Sequence, residues 1–115
     1  MLLNYKGYYG ALTWEPKDQI YYGHLIGIDA MVDYGGETQA EATLSFREAV
    51  DDYLAFCADE GREPVIPDLK EWTVPVSFRS YALLTSEAEE SGKPIRNIVD
   101  KWVDVHASGV SAVGL

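Results

Sequence analysis

The sequence predicts an α+β fold in two parts: a small N-terminal three-stranded antiparallel sheet braced by one helix, then a strand–helix–helix dimerisation module. Three observations carry this. Residues 38–61 have the clearest helical periodicity in the chain. The residues before them are aromatic, β-forming and broken by turn signals. Pro64 and Pro67 then separate this half from a second run, in which one strand-like segment precedes two helical patterns. The expected boundaries are 1–63 for the first domain, 64–70 for a semi-rigid linker, 71–107 for the second module and 108–115 for a loose tail.

Residues 4–14, NYKGYYGALTW, read as the first strand. Glu15–Asp18 turns the chain, and residues 19–28, QIYYGHLIGI, return as the second. Residues 31–34, MVDY, give a short third strand that Gly35-Gly36 ends. Both faces of the long strands carry large groups. Tyr5, Tyr9 and Thr13 oppose Tyr8, Leu12 and Trp14, while Ile20, Tyr22, His24, Ile26 and Ile28 oppose Tyr21 and Leu25. One helix covers only one face of such a sheet, so the other keeps aromatic and apolar side chains for a partner. Gly7, Gly10, Gly23 and Gly27 are expected to mark bulges or strong twist, and their spacing is not that of a phosphate loop.

Thr38 is placed to cap the long helix, with Glu41 returning a bond to the cap. Ala42, Phe46, Ala49, Val50, Tyr53 and Cys57 recur at helical spacing and form one apolar stripe about 80° wide. Glu48, Asp51, Asp52 and Asp59 lie off it, and Gly61 stops the helix before Pro64.

Beyond the linker, residues 71–78 read as a short strand with Trp72, Val74 and Val76 on one face. Residues 79–91 form a helix ending at Gly92, with Tyr81, Leu84 and Ala88 on its apolar edge. A second helix starts at Lys93-Pro94 and carries Ile95, Ile98, Val99, Trp102 and Val105. A unit this small buries too little core alone, and a lone strand has two open edges. A second copy pairing strand to strand solves both problems, with Trp72, Val74, Val76 and Trp102 as the expected dimer contacts.

The charge is uneven. The chain has 115 residues and a formal charge of −10. Residues 1–69 hold four basic and thirteen acidic side chains, a balance of −9, against −1 for the remainder. The acidic half serves solubility or a basic partner. Cys57 is the only cysteine, which excludes an intramolecular disulfide and, from its place on the stripe, reads as a small buried hydrophobe. No secretory signal, lipidation motif or long apolar run is visible, so a soluble cytoplasmic protein without membrane contact is expected.

The sequence offers no catalytic constellation, and the expectation is a protein that is not an enzyme and uses no cofactor. His24 lies in a strand and His106 near a helix end. No zinc ligand spacing and no serine elbow occur. A two-metal nuclease needs carboxylates converging from adjacent strands, whereas Asp18, Asp29, Asp33 and Glu37 fall mostly in turns.

Two stretches resemble a known family. The run YKGYYGALTWE…IYYGHLIGI…TLSFREAVDDYLAFCADEGREP resembles the HicB antitoxins, most closely over Phe46–Pro64, and spans about half of the chain. The pattern Trp72–Val105, with its breaking Gly92, resembles the ribbon-helix-helix module that many HicB proteins carry. The resemblance implies a partial RNase H-like N-terminal fold without nuclease activity. It also implies a small, basic HicA-type toxin as partner, an mRNA-cleaving protein whose active site the antitoxin covers, and binding of a dimeric ribbon to operator DNA. Tyr9, Trp14, Tyr22 and His24 are the expected toxin contacts. Lys70, Thr73, Arg79, Lys93 and Arg96 are the expected DNA contacts. The chain departs from the family where bases would be read, because the outward ribbon positions are Glu71, Thr73 and Pro75. Pro94 removes a donor from the second helix start, and Glu87 replaces an apolar residue. Two readings of this unit stay open: operator binding, or oligomerisation alone. A stand-alone dimeric ribbon-helix-helix regulator without a toxin is the alternative for the whole chain.

Overall fold

The computed structural model describes the backbone of residues 1–113 and the side chains of residues 1–107. The chain forms two compact units, Met1–Trp72 and the residues from Thr73 onward. The first is an antiparallel sheet packed on one long helix, and the second is a helical pair, so the α+β class holds. The sheet has five short strands in place of the expected three.

The stretch 4–14 is not one strand. β1 (Leu2–Tyr5) and β2 (Tyr8–Ala11) form a hairpin over Lys6 and Gly7, both at positive φ (54° and 82°). A two-residue turn of this kind matches the twist of the flanking strands, and Gly7 adopts it without steric cost. It also puts Tyr5 directly across from Tyr8. Tyr5 therefore shares the helix-covered face with Tyr8 and not the face of Tyr9, which corrects the alternation expected from an unbroken strand. β3 (Thr13–Glu15) continues the chain after a break at Leu12.

β4 (Ile20–Ile26) is the central strand. It pairs with β2 through Tyr9↔Ile26 and Gly10↔Leu25, and with β3 through Thr13↔Tyr22, Trp14↔Tyr21 and Glu15↔Ile20. The register is the same in both ladders, so β2 and β3 are one bent strand with a gap at Ala11–Leu12. On the other side of β4 runs β5 (Asp33–Gly36), and the pairs Tyr22↔Gly35 and Tyr21↔Gly36 show that the two glycines extend this strand where they were expected to end it. Their lack of side chains is used: a Cβ on Gly36 would strike the backbone of the following helix, and one on Gly35 the Tyr21 carbonyl.

α1 (Gln39–Asp59) lies on this sheet. Its buried residues are Ala42, Phe46, Ala49, Val50, Tyr53 and Cys57, the six of the predicted stripe. They pack with Leu3, Tyr8, Leu12, Leu25 and Tyr34 of the sheet. Thr38 Oγ1 accepts from the Glu41 N–H, while the Glu41 carboxylate accepts from Glu37 N–H, one residue before the cap expected to receive it. At the other end the N–H groups of Gly61 (φ 65°) and Arg62 donate to the Ala58 and Cys57 carbonyls, the paired bonds of a Schellman ending. The following segment folds back, since Val65 N–H donates to the Tyr53 hydroxyl at 3.0 Å.

The linker closes with a single 3₁₀ turn at Pro67–Leu69. Trp72 belongs to the first unit. Its indole N–H donates to the Pro67 carbonyl at 3.3 Å, and its ring would stand only 3.1 Å from a Cβ on Gly27 (φ 80°). Residues 71–77 form no strand in this single chain, which corrects the expected element. The physical reason is the missing ladder, because no other described strand pairs with this segment.

The second unit contains α2 (Phe78–Ser91) and α3 (Ile95–Val113). Ser77 caps α2 by accepting from Ser80 N–H, and Gly92 at φ 69° ends it, as its position predicted. α3 runs six residues past the expected limit of 107, since extending an existing helix needs no new nucleation. Residues 108–113 of the expected loose tail are therefore helical backbone, and Gly114 and Leu115 lie outside the described residues.

Candidate protein-binding face

Residues paired across an antiparallel ladder point to the same side of the sheet. The registers place Leu2, Asn4, Tyr9, Ile26, His24 and Tyr22 together on the side away from α1. Tyr22 is 47% exposed and Ile26 43%. His24 is exposed opposite Asp33 of β5, and Tyr9 is half-buried between neighbours. Three of the four residues expected to meet a partner, Tyr9, Tyr22 and His24, are therefore brought onto one surface.

The fourth is not. Trp14 pairs with Tyr21, on the side of the sheet that faces α1. It stands beyond the helix, 44% exposed, with its ring 4.7 Å from the Tyr21 ring. The sheet thus has a second, separate aromatic surface at one end. Leu2 and Ile26 belong to the far-side patch although neither was among the expected contacts; Ile26 was visible in the alternation of β4, whereas Leu2 joins only through the hairpin.

The side of the sheet behind this face is filled by aromatic packing. The Tyr34 ring meets Phe46 edge-on at 5.3 Å, and Tyr8 meets Tyr53 at 5.8 Å. Burial pushes the hydroxyls of Tyr8, Tyr34 and Tyr53 above the ordinary tyrosine range.

The outer surface of α1 is acidic. Asp51 is neutralised locally: Lys6 Nζ donates to it at 2.8 Å, and Tyr5 donates to its other oxygen at 3.3 Å. The Lys6 hydrogen bond holds the Asp51 carboxyl below its usual range, and that same bond raises Lys6. Glu48 and Asp52 beside it are exposed. A groove of about 340 Å³ runs between this helix and the chain entering β5, lined by Asp33, Glu48 and Asp52 over Ala49, Tyr53 and Phe56.

The residues expected to touch DNA do not form one set. Lys70 falls in the first unit, next to the 3₁₀ turn. Thr73 lies in the segment without a ladder, Arg79 in the first turn of α2, Lys93 between Gly92 and Pro94, and Arg96 on α3, 4.0 Å from Asp100. Of the expected dimer contacts, Trp72 is anchored to the first unit, while Val74 is 71% exposed, Val76 54% and Trp102 41%. Only Leu84 and Ile98 are buried among the described side chains of this unit.

His24 and His106 are both exposed and fall in different units. No three His, Cys, Asp or Glu side chains among the described residues are grouped as a metal ion requires. No helix among them is long and apolar enough to cross a membrane. No family model, curated protein or solved structure matches the chain.

Proposed function

We propose that this chain is a cytoplasmic antitoxin that neutralises a small, basic HicA-type mRNA-cleaving toxin, is not itself an enzyme, and uses no cofactor. The observation that carries the reading is the far-side patch of Tyr9, Tyr22, His24 and Ile26: an aromatic and apolar surface on a sheet whose other side is closed by α1. Tyrosines of this kind anchor interfaces, since they bury large areas at low entropic cost. The acidic balance of residues 1–69 supplies long-range attraction to a basic protein. The resemblance of Phe46–Pro64 to HicB proteins names the partner class. On this reading the strands and α1 are a partial RNase H-like platform without nuclease carboxylates.

The second unit is proposed as the ribbon-helix-helix-like homodimer module, with residues 73–77 pairing antiparallel with a second copy. Its many exposed apolar side chains support that reading. Operator binding by Thr73, Arg79, Lys93 and Arg96 would follow from that dimer.

Co-expression of the tagged chain with the small basic reading frame beside its gene tests the proposal. Recovery of a stoichiometric complex and rescue of growth are expected. No complex, with growth still arrested, would sink it.

A further inference from the structure

The groove beside α1 is apart from the far-side patch: Tyr9, Tyr22, His24 and Ile26 do not line it. Its floor is apolar, made by buried Ala49 and Tyr53. The Tyr53 hydroxyl accepts from Val65 N–H, and the hydroxyl of Ser45, which also lines the groove, accepts from Gly35 N–H. Phe56 forms one wall and is 52% exposed, far more than a helical phenylalanine beside a core needs. Asp33 borders the groove from β5, but its register with His24 turns its side chain to the far side of the sheet. Glu48 and Asp52 stand beside the groove on α1, and neither side chain takes part in an ion pair or hydrogen bond among the described residues. This contrasts with the neighbouring Asp51, which Lys6 neutralises. The Phe56 ring also takes a guanidinium against it, with Arg62 Cζ 5.7 Å from the ring centroid.

An apolar floor, a half-exposed aromatic wall and two carboxylates without an ion pair match one type of side chain. It has an aliphatic stem to bury and a planar cation to present. The volume, about 340 Å³, accommodates such a side chain with its peptide backbone lying across the mouth. We propose that this groove is a docking site for an arginine presented by a basic segment of a partner protein, with the stem over Ala49 and Tyr53, the guanidinium shared by Glu48 and Asp52, and Phe56 against its face. The site does not depend on the antitoxin reading, because any basic polypeptide with an exposed arginine beside apolar residues satisfies it.

The test is an amide-resolved NMR titration of the full chain with acetyl-Leu-Arg-Leu-amide, and in parallel with the same peptide carrying citrulline, a neutral isostere of arginine. Saturable shifts are expected at Asp33, Glu48, Asp52 and Phe56 with the arginine peptide and not with citrulline. E48Q/D52N is expected to weaken binding about three- to tenfold, from the loss of two partly exposed charge contacts. D18N/E63Q, which changes net charge equally away from the groove, leaves binding unchanged. All four substituted side chains are exposed, so both variants keep the fold, which unfolding curves verify. Equal shifts with citrulline, shifts spread evenly over the acidic surface, or equal weakening in both variants would overturn the proposal.

Discussion

The Tyr34 hydroxyl donates to the Ala11 carbonyl, inside the gap where the bent β2–β3 strand leaves its ladder with β4. The ring reaches that gap by crossing Gly10 and Gly23, and a Cβ on either glycine would strike the phenol. On Gly23 it would also strike the Ala11 carbonyl itself. A carbonyl that lost its ladder partner is thus satisfied by a side chain from β5, and two glycines make the room. Tyr34→Phe is expected to cost about 1–3 kcal/mol, the range for leaving a buried acceptor unpaired. Gly23→Ala is expected to cost more, because backbone and not a flexible side chain blocks it. Urea unfolding of the full chain measures both; a Gly23→Ala midpoint equal to wild type would refute this account.

The same tyrosine makes the fold sensitive to alkali. Burial raises the Tyr8, Tyr34 and Tyr53 hydroxyls, so the unfolded chain ionises first. The stability they contribute is fully present below the unfolded tyrosine value of about 10 and is lost as pH rises through their higher folded values. Unfolding temperature is therefore expected to fall above about pH 10, and to fall less steeply in Tyr34→Phe. Parallel slopes for the two proteins would exclude the effect.

Asp51 works in the opposite direction. Its folded value is depressed by Lys6, so its contribution is present above the unfolded aspartate value of about 3.9 and is lost as pH falls through the folded one. The pair is exposed and screened by salt. D51N is expected to lower the unfolding temperature slightly at pH 7 in low salt and not at all in 1 M salt, where the Debye length is about 3 Å. Thermal scans at both ionic strengths decide it, and a salt-independent difference would mean that Asp51 acts through something other than Lys6.

The helix was legible because its signals are local. Thr38 and Gly61 mark its ends, and the spacing of Ala42, Phe46, Ala49, Val50, Tyr53 and Cys57 names the buried side without reference to the sheet. The sheet was legible only in outline. Lys6-Gly7 lacks the Asn-Gly or Asp-Gly signature of its turn, so the β1–β2 hairpin passed for one strand and Tyr5 was put on the wrong side. Gly35 and Gly36 read as breakers, because their use depends on the close approach of Tyr21 and α1. The far-side patch followed from the alternation of β4, but Trp14 required the actual register. The groove combines Asp33 of β5 and residues from three turns of α1, with Ala30 and Val32 ahead of the strand, a juxtaposition no local pattern announces.

Separate aromatic surfaces on the sheet make the proposed partner interface dissectable. Ile26→Asp puts a charge in the centre of the far-side patch, and Tyr22→Ala removes its largest exposed ring. Each is expected to weaken toxin binding by about 2 kcal/mol or more, roughly thirtyfold, while leaving stability nearly unchanged. Trp14→Ala, on the other side, is expected to leave binding within about threefold of wild type, the scale of a near-neutral contact. Titration calorimetry against the purified toxin separates the two surfaces. A large loss with Trp14→Ala and none with Tyr22→Ala would move the interface to the α1 side.

The second unit has more exposed apolar surface than a soluble helical pair keeps uncovered. Val74 and Val76 stand in a segment with no ladder partner among the described residues, and Trp102 and Val105 are exposed on α3. The proposed pairing of residues 73–77 with a second copy would give this segment a ladder, and stacking of the α2–α3 pairs would cover the valines and tryptophan. Pro75 lacks an N–H but can occupy a position whose amide would face away from the ladder. Sedimentation at micromolar concentration is therefore expected to give a dimer. V74E/V76E, which buries like charges at the ladder, is expected to give a monomer with a lower unfolding temperature. In that monomer the Tyr34–Ala11 core and the far-side patch are expected to remain intact, so the proposed toxin binding should persist per chain while the proposed dimer is lost. A monomeric wild type, or a dimer that survives V74E/V76E, would place the contact elsewhere.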